Sequence, residues 1–238
     1  MPNISESTDQ LSCISSAAIP PEQDLVLRAA RLLKHYTGTS QGVHIHVHKK
    51  IPIGGGLGGG SSDAATTLLA LNQLWQLHLP LNVLTQLGLQ LGADVPVFIQ
   101  GHAAWAEGIG EILTPIVLDE PWYLVIHPGC QVSTAQIFSD PDLTRDASPV
   151  TLEEFLANQC TNVCEHVVRK LYPTVGAALD WLNQYSLAHL TGTGACLFAR
   201  FKSREQAYMI LSQLPNIWQG FIAQGKNISP AMQGFTNS

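Results

Sequence analysis

At 238 residues with 45% hydrophobic content, the chain is long enough for one large domain or two smaller ones, each with a real core. A formal net charge of −6, with only 12 Lys and Arg, leaves no basic stripe for nucleic acid or an anionic membrane, so a small, specific ligand is expected. The five cysteines fit neither a zinc site nor a secreted disulfide framework, no apolar run reaches bilayer length, and the opening MPNISESTDQ lacks a signal peptide's basic and apolar regions, so a cytoplasmic protein is expected.

In chain order, QLSCIS reads as a short strand. LVLRAARLLKHY sets Leu25, Arg28, Ala29 and Leu32 at helical spacing, and Asp24 stands where it can cap the start. In VHIHVHKK, Val43, Ile45 and Val47 alternate with His44, His46 and His48, the pattern of a strand with one buried and one wet face. No carboxylate or cysteine stands close in sequence to turn these histidines into a metal site, so none is expected. A glycine loop follows, PIGGGLGGGSS, made of Pro52, Ile53, Gly54, Gly55, Gly56, Leu57, Gly58, Gly59, Gly60, Ser61 and Ser62. Behind it Leu68, Leu71 and Trp75 recur at helical spacing.

Strand, glycine loop and helix start together predict an anion site. The first helical turn leaves N–H groups unpaired at the positive end of the dipole, and glycines let phosphate oxygens approach the backbone. Ser61 and Ser62 are expected to add hydroxyl donors or to cap the helix. The loop is no Walker A motif, because no Lys-Ser or Lys-Thr pair follows its last glycine, so a different class of kinase is implied.

Further along, Asp94 in LGADVPVF precedes a Val-Pro pair in an apolar stretch, which suits either a carboxylate held beside a pocket or a turn cap. AEGIGEILTP is expected to be a turn at the boundary between lobes. In HPGCQVSTAQIF, Phe138 offers either a flat face for stacking a base or an ordinary core side chain. Cys160 and Cys164, one helical turn apart, are expected to be small apolar residues on a packed face, without metal or redox role. TGTGA, residues 191–195, enters the strand-like CLFARF as a hairpin or strand-entry turn.

PIGGGLGGGSSDAA, LGADVPVFIQGHAAWAEGIGEILTP and LTGTGACLFA together resemble the GHMP kinases, the family of galactokinase, homoserine kinase and mevalonate kinase. The likeness runs from about Leu11 nearly to the end, and within the family it points to the branch acting on 4-diphosphocytidyl-2-C-methyl-D-erythritol. The resemblance implies an α+β, two-lobed fold, each lobe with a mixed or antiparallel sheet and helices: a nucleotide lobe over 1–114, a substrate lobe over 115–225, and a tail over 226–238 returning to the first. It implies ATP with Mg²⁺, residues 52–62 around the phosphates, Asp94 as catalytic base, and Asp24, Leu25 and Lys49 on the adenine side, with Asp24 standing where the family has asparagine. It also implies Thr134 and Phe138 at the cytidine end of the substrate, and support of the loop by TGTGA.

The implied reaction is phosphorylation of the substrate's 2-hydroxyl in non-mevalonate isoprenoid synthesis, by a monomer or weak homodimer without nucleic-acid or membrane partners. The family's opening Pro-x-Lys-x-Asn strand and Gly-Tyr-His turn have no counterpart in this sequence, so the chain as written is expected to begin inside the nucleotide lobe. A nucleotide-binding form without turnover is therefore one alternative. Another small-molecule kinase of the family, such as a homoserine kinase, is a second, disfavoured by GGGLGGGSS and HAAWAEGIGEILTP.

Overall fold

The computed structural model describes residues 10–16, 19–157 and 161–234; the opening nine residues, Cys160 and the last four residues of the expected tail lie outside them. The chain segregates into two units. The first takes the described residues up to Lys50, Gly58–Leu118 and those from Lys226 on; the second takes Ile51–Leu57 and Asp119–Gly225.

In the first unit, β1 (Leu11–Ser15) and β2 (Val43–Val47) pair in parallel, Leu11 opposite Val43 and Ser15 opposite Val47. Parallel neighbours need a crossover, and α1 (Leu25–Thr37) supplies it. The Asp24 side chain caps α1 by accepting from Val26 N–H at 2.8 Å, and Gly38 at φ 68° ends it. The helices α2 (Gly59–Leu74), α3 (Leu81–Leu91) and α4 (Val95–Gln100) follow. Leu33, Leu68, Leu84 and Ile99, from these four helices, are fully buried in one core. Each such side chain contributes about 1.5–3 kcal/mol of burial. His44 and His46 are exposed, as the alternation predicts, and His44 bonds Ser12 across the pair.

AEGIGEILTP is a hairpin, not merely a turn, and it lies within the first unit: β3 (Ala104–Glu107) and β4 (Ile112–Pro115) pair antiparallel with Glu107 opposite Ile112. Its two glycines make the tip at residues 108–111, where the Glu111 carboxylate accepts from Ile109 N–H at 2.7 Å. The returning chain binds Gly101 O through Ser229 N–H and Ala103 N–H through Asn227 O, each at 2.8 Å, before a 3₁₀ turn at Pro230–Gly234.

The second unit is built on four antiparallel strands in the order β6 (Ala188–Leu190), β7 (Leu197–Phe201), β5 (Trp122–His127), β8 (Gln219–Gln224). Among the described residues five helices accompany it: α5 (Thr134–Ser139), α6 (Leu152–Leu156), α7 (Cys164–Leu171), α8 (Pro173–Asn183) and α9 (Arg204–Leu211). Leu124, Ile126, Ile137, Leu179, Leu182 and Leu197 fill its core, and Cys164 is buried there too. The fold is α+β, with both sheet senses in the first unit and an antiparallel sheet in the second.

Candidate active site

The glycine loop is divided between the two units at Leu57–Gly58. On the side of the first unit, α2 begins one residue after Gly58, which takes φ 67° and gives no side-chain cap. Ser61 and Ser62 therefore lie inside the first turn, and of their two expected roles the hydroxyl donor remains while the cap does not. Ser62 N–H is bonded to Gly58 O at 2.8 Å, so helix geometry leaves the amides of Gly59, Gly60 and Ser61 over. That is the electropositive end that an anion needs.

Several sequence-predicted residues gather at this helix start. Leu25 packs on Gly60, where a Cβ would stand 3.3 Å from its Cδ1. Lys49, with a side chain 15% exposed, pairs with Asp63 at 2.5 Å. Asp24 is buried at 5% exposure, its carboxylate engaged by the cap bond of α1. Burial, then the charge and hydrogen bond of Asp24, push the Cys13 thiol up to about 11. Asp63 and Cys13 were not singled out in the sequence; the only signal for Asp63 was its place in SSD, one residue beyond the serines.

Asp94 precedes α4 and does not cap it. It is exposed rather than buried among apolar neighbours, and among the described residues its carboxylate has no hydrogen bond or ion pair. The backbone beneath it is firm: Val95 N–H bonds Gly92 O at 3.1 Å, and Gly110 of the hairpin approaches so closely that a Cβ there would stand 2.9 Å from Ala93 O. One turn along α4, Phe98 lays its ring against Gly58, so a single short helix carries both the free carboxylate and the stop for the loop.

In the second unit, the other half of the loop is gripped by residues 191–196, the turn joining β6 to β7. Ala195 N–H donates to Gly54 O at 3.3 Å, Cys196 N–H to Gly55 O at 3.0 Å, and Thr191 Oγ1 to Gly56 O at 2.6 Å. Gly56, at φ 72°, has no room for a side chain, since a Cβ would meet Thr191 O at 2.4 Å. Cys196 is fully buried with its Sγ against Gly55; burial, then Cys130, push its thiol up to about 12. Pro52 lies just behind Gly55, while Ile53 is exposed.

Thr134 opens α5 and shares a hydrogen bond at 2.8 Å with the Thr193 hydroxyl of that turn. Phe138, on the same helix, is 58% exposed, so it is no core side chain. Its backbone is held from outside: Arg145 donates to Phe138 O at 2.8 Å, Asp140 O at 3.0 Å and Leu143 O at 3.1 Å. Thr193 and Arg145 are contacts that spacing in the sequence could not reveal.

An uncapped helix start and, among the described residues, an unengaged aspartate in the first unit, with a glycine loop backed by a second glycine turn in the second, are parts that a small-molecule kinase uses. The sequence matches the GHMP kinases N terminal domain over residues 24–102 and the GHMP kinases C terminal region over residues 144–220. This chain belongs to the GHMP kinase family; it is a small-molecule kinase, with ATP as phosphoryl donor.

Among its relatives is the 4-diphosphocytidyl-2-C-methyl-D-erythritol kinase of Nitrosococcus oceani, 57% identical over 211 residues that cover 89% of this chain and 75% of the relative. The kinase of the same name from Chromohalobacter salexigens is 54% identical, over 90% of this chain and 74% of its own. A crystal structure of 4-(cytidine 5'-diphospho)-2C-methyl-D-erythritol kinase superposes with a TM-score of 0.79 at 28% identity, over 95% of this chain and 84% of that one. A homoserine kinase from Cytophaga hutchinsonii, at 17% identity and a TM-score of 0.65, shares the fold. No helix among the described residues is long and apolar enough to cross a membrane.

Proposed function

We propose that this kinase transfers the γ-phosphoryl group of ATP to the 2-hydroxyl of 4-diphosphocytidyl-2-C-methyl-D-erythritol, a step of isoprenoid precursor synthesis. The observation that carries the reading is the gripped glycine loop running into the open start of α2, in a chain more than half identical to kinases named for this substrate. In this reading residues 1–114 hold the nucleotide, residues 115–225 hold the substrate and residues 226–238 return to the first lobe. The enzyme works in the cytoplasm as a monomer or weak homodimer.

Residues 52–62 receive the ATP phosphates, with loop and helix-start amides donating to their oxygens. Leu25, Lys49 and Asp24 border the adenine, Leu25 by packing and Lys49 by a charge that Asp63 holds in place. Asp94, without another partner among the described residues, accepts the proton of the 2-hydroxyl as that oxygen bonds to the γ-phosphorus and the bond to the β-bridging oxygen breaks, releasing ADP. Phe138 stacks on the cytosine and Thr134 donates beside it.

Among the described residues no three His, Cys, Asp or Glu side chains come together as a metal cage. Mg²⁺ needs no such cage, since it keeps several waters and takes one or two carboxylates plus phosphate oxygens. The Ser61 and Ser62 hydroxyls fit that preference for oxygen and would hold it, where it would supply charge neutralisation to the phosphates, while the Asp63 carboxylate is engaged by Lys49. A coupled assay of ADP release tests the proposal. The expected result is release that depends on the cytidyl substrate and is absent with homoserine; release with homoserine, or ATP binding without turnover of either, would overturn it.

A further inference from the structure

Asn162 belongs to no glycine motif, yet its carboxamide is where the 191–196 turn is tied down. Its Oδ1 accepts from Cys164 N–H at 2.9 Å, which starts α7. Its Nδ2 donates to Leu190 O at 3.1 Å, at the end of β6, and to Gly192 O at 2.6 Å, inside the turn. Both amide hydrogens and one acceptor site are thus in use, and all three bonds go to backbone. The two carbonyls it holds flank Thr191, the residue whose hydroxyl reaches Gly56 O, and the same turn supplies the Ala195 and Cys196 amides to Gly54 and Gly55. The path from α7 to the glycine loop is therefore two hydrogen-bonded steps long.

We infer that Asn162 is a positioning residue for the nucleotide: its two donated bonds hold the turn in the conformation that sets Gly54, Gly55 and Gly56 for phosphate. The inference rests on the reading of residues 52–62 as the phosphate site. A glycine-rich segment left to itself samples many conformations, and ordering it on binding would weaken affinity. Asn162 and Thr191 meet that cost before ATP arrives. The bond to Cys164 is a separate matter, since it serves α7 alone. Asn162→Asp separates the two roles: it keeps an oxygen for Cys164 N–H and sets an oxygen, which cannot donate, against the carbonyls of Leu190 and Gly192.

The test combines ATP titration, steady-state kinetics and amide hydrogen exchange on the full chain carrying Asn162→Asp, Thr191→Val or Thr191→Ser. The expected result is that Asn162→Asp and Thr191→Val each weaken ATP binding about tenfold, raising the KM for ATP with kcat within about twofold, because the loss is in ground-state and transition-state binding alike. Exchange at the Ala195 and Cys196 amides should accelerate in Asn162→Asp, and Thr191→Ser, which keeps the hydroxyl, should bind ATP as the unaltered protein does. ATP failing to bind the unaltered protein overturns the phosphate-loop reading and this inference with it. Equal binding by the unaltered protein and a folded Asn162→Asp overturns this inference alone. Should Asn162→Asp not fold, the Thr191 pair decides, since equal affinity of the Val and Ser variants would show that the turn does not set the loop.

Discussion

Asp94 is the residue on which chemistry and structure bear together. A carboxylate at a helix start would ordinarily accept from the first-turn amides, and this one does not, leaving its oxygens available to an incoming hydroxyl. Asp94→Asn keeps size and polarity and removes the base, so turnover should fall about a hundredfold or more while ATP affinity stays within about threefold. Single-turnover phosphoryl transfer alongside ATP titration measures both, and undiminished transfer would remove Asp94 from the reaction. Gly56 is a different kind of constraint. Its φ of 72° and the carbonyls of Thr191 and Gly194 at 2.4 and 2.9 Å from an added Cβ leave no place for even one methyl. Gly56→Ala should therefore cost about 1–3 kcal/mol of strain where it is accommodated at all, displacing the loop and abolishing measurable ATP binding. A calorimetric titration on the folded variant checks it; normal affinity would mean that the phosphates do not approach Gly56.

At the scale of elements, what the sequence disclosed was what is local. The cap at Asp24, the alternation of β2 and the run from loop to α2 follow from a few adjacent residues, and each stands in the structure where periodicity puts it. The parallel pairing of β1 with β2 joins residues about thirty positions apart, and β8 beside β5 joins residues about a hundred apart; no local pattern encodes either. AEGIGEILTP reads as a turn because its two glycines dominate a short segment, whereas four residue pairs across the tip make it a hairpin. The same limit applied to the site. The loop, Asp94 and TGTGA were legible as motifs, but Lys49 with Asp63, Thr134 with Thr193, and the grip on Gly54, Gly55 and Gly56 exist only after folding. Asp24 shows how an element can claim a residue expected at the ligand. Its carboxylate caps α1, so Asp24→Ala should lower stability by about 1 kcal/mol, seen as a lower melting temperature, while Asp24→Asn, which keeps an accepting oxygen, should not. If Asp24→Asn instead changed ATP affinity at unchanged stability, the residue would be reading the base rather than serving the helix.

For the molecule as a whole, the sign of its charge makes the binding of a polyanion a problem with a measurable solution. A net charge of −6 repels ATP and a diphosphate substrate at long range, and the lysine singled out for the site, Lys49, is already paired with Asp63. Attraction must then come from short-range donors: the amides left over at the start of α2 and the glycines of the loop. Salt acts on these two contributions differently. Screening over about 10 Å at 0.1 M ionic strength removes the repulsion of distant carboxylates, whereas hydrogen bonds from amides to phosphate oxygens at contact distance are screened far less. ATP affinity, measured at constant free Mg²⁺, should therefore change by less than about threefold between about 50 and 200 mM salt, where proteins that grip phosphates with many cations lose orders of magnitude. The association rate should hold steady or rise, since less repulsion opposes the encounter. Stopped-flow titration across that range gives both quantities. A steep loss of affinity with salt would mean that free cations, Lys50 among the candidates, dominate the grip, and the amide-centred account of the loop would have to give way to a cationic one.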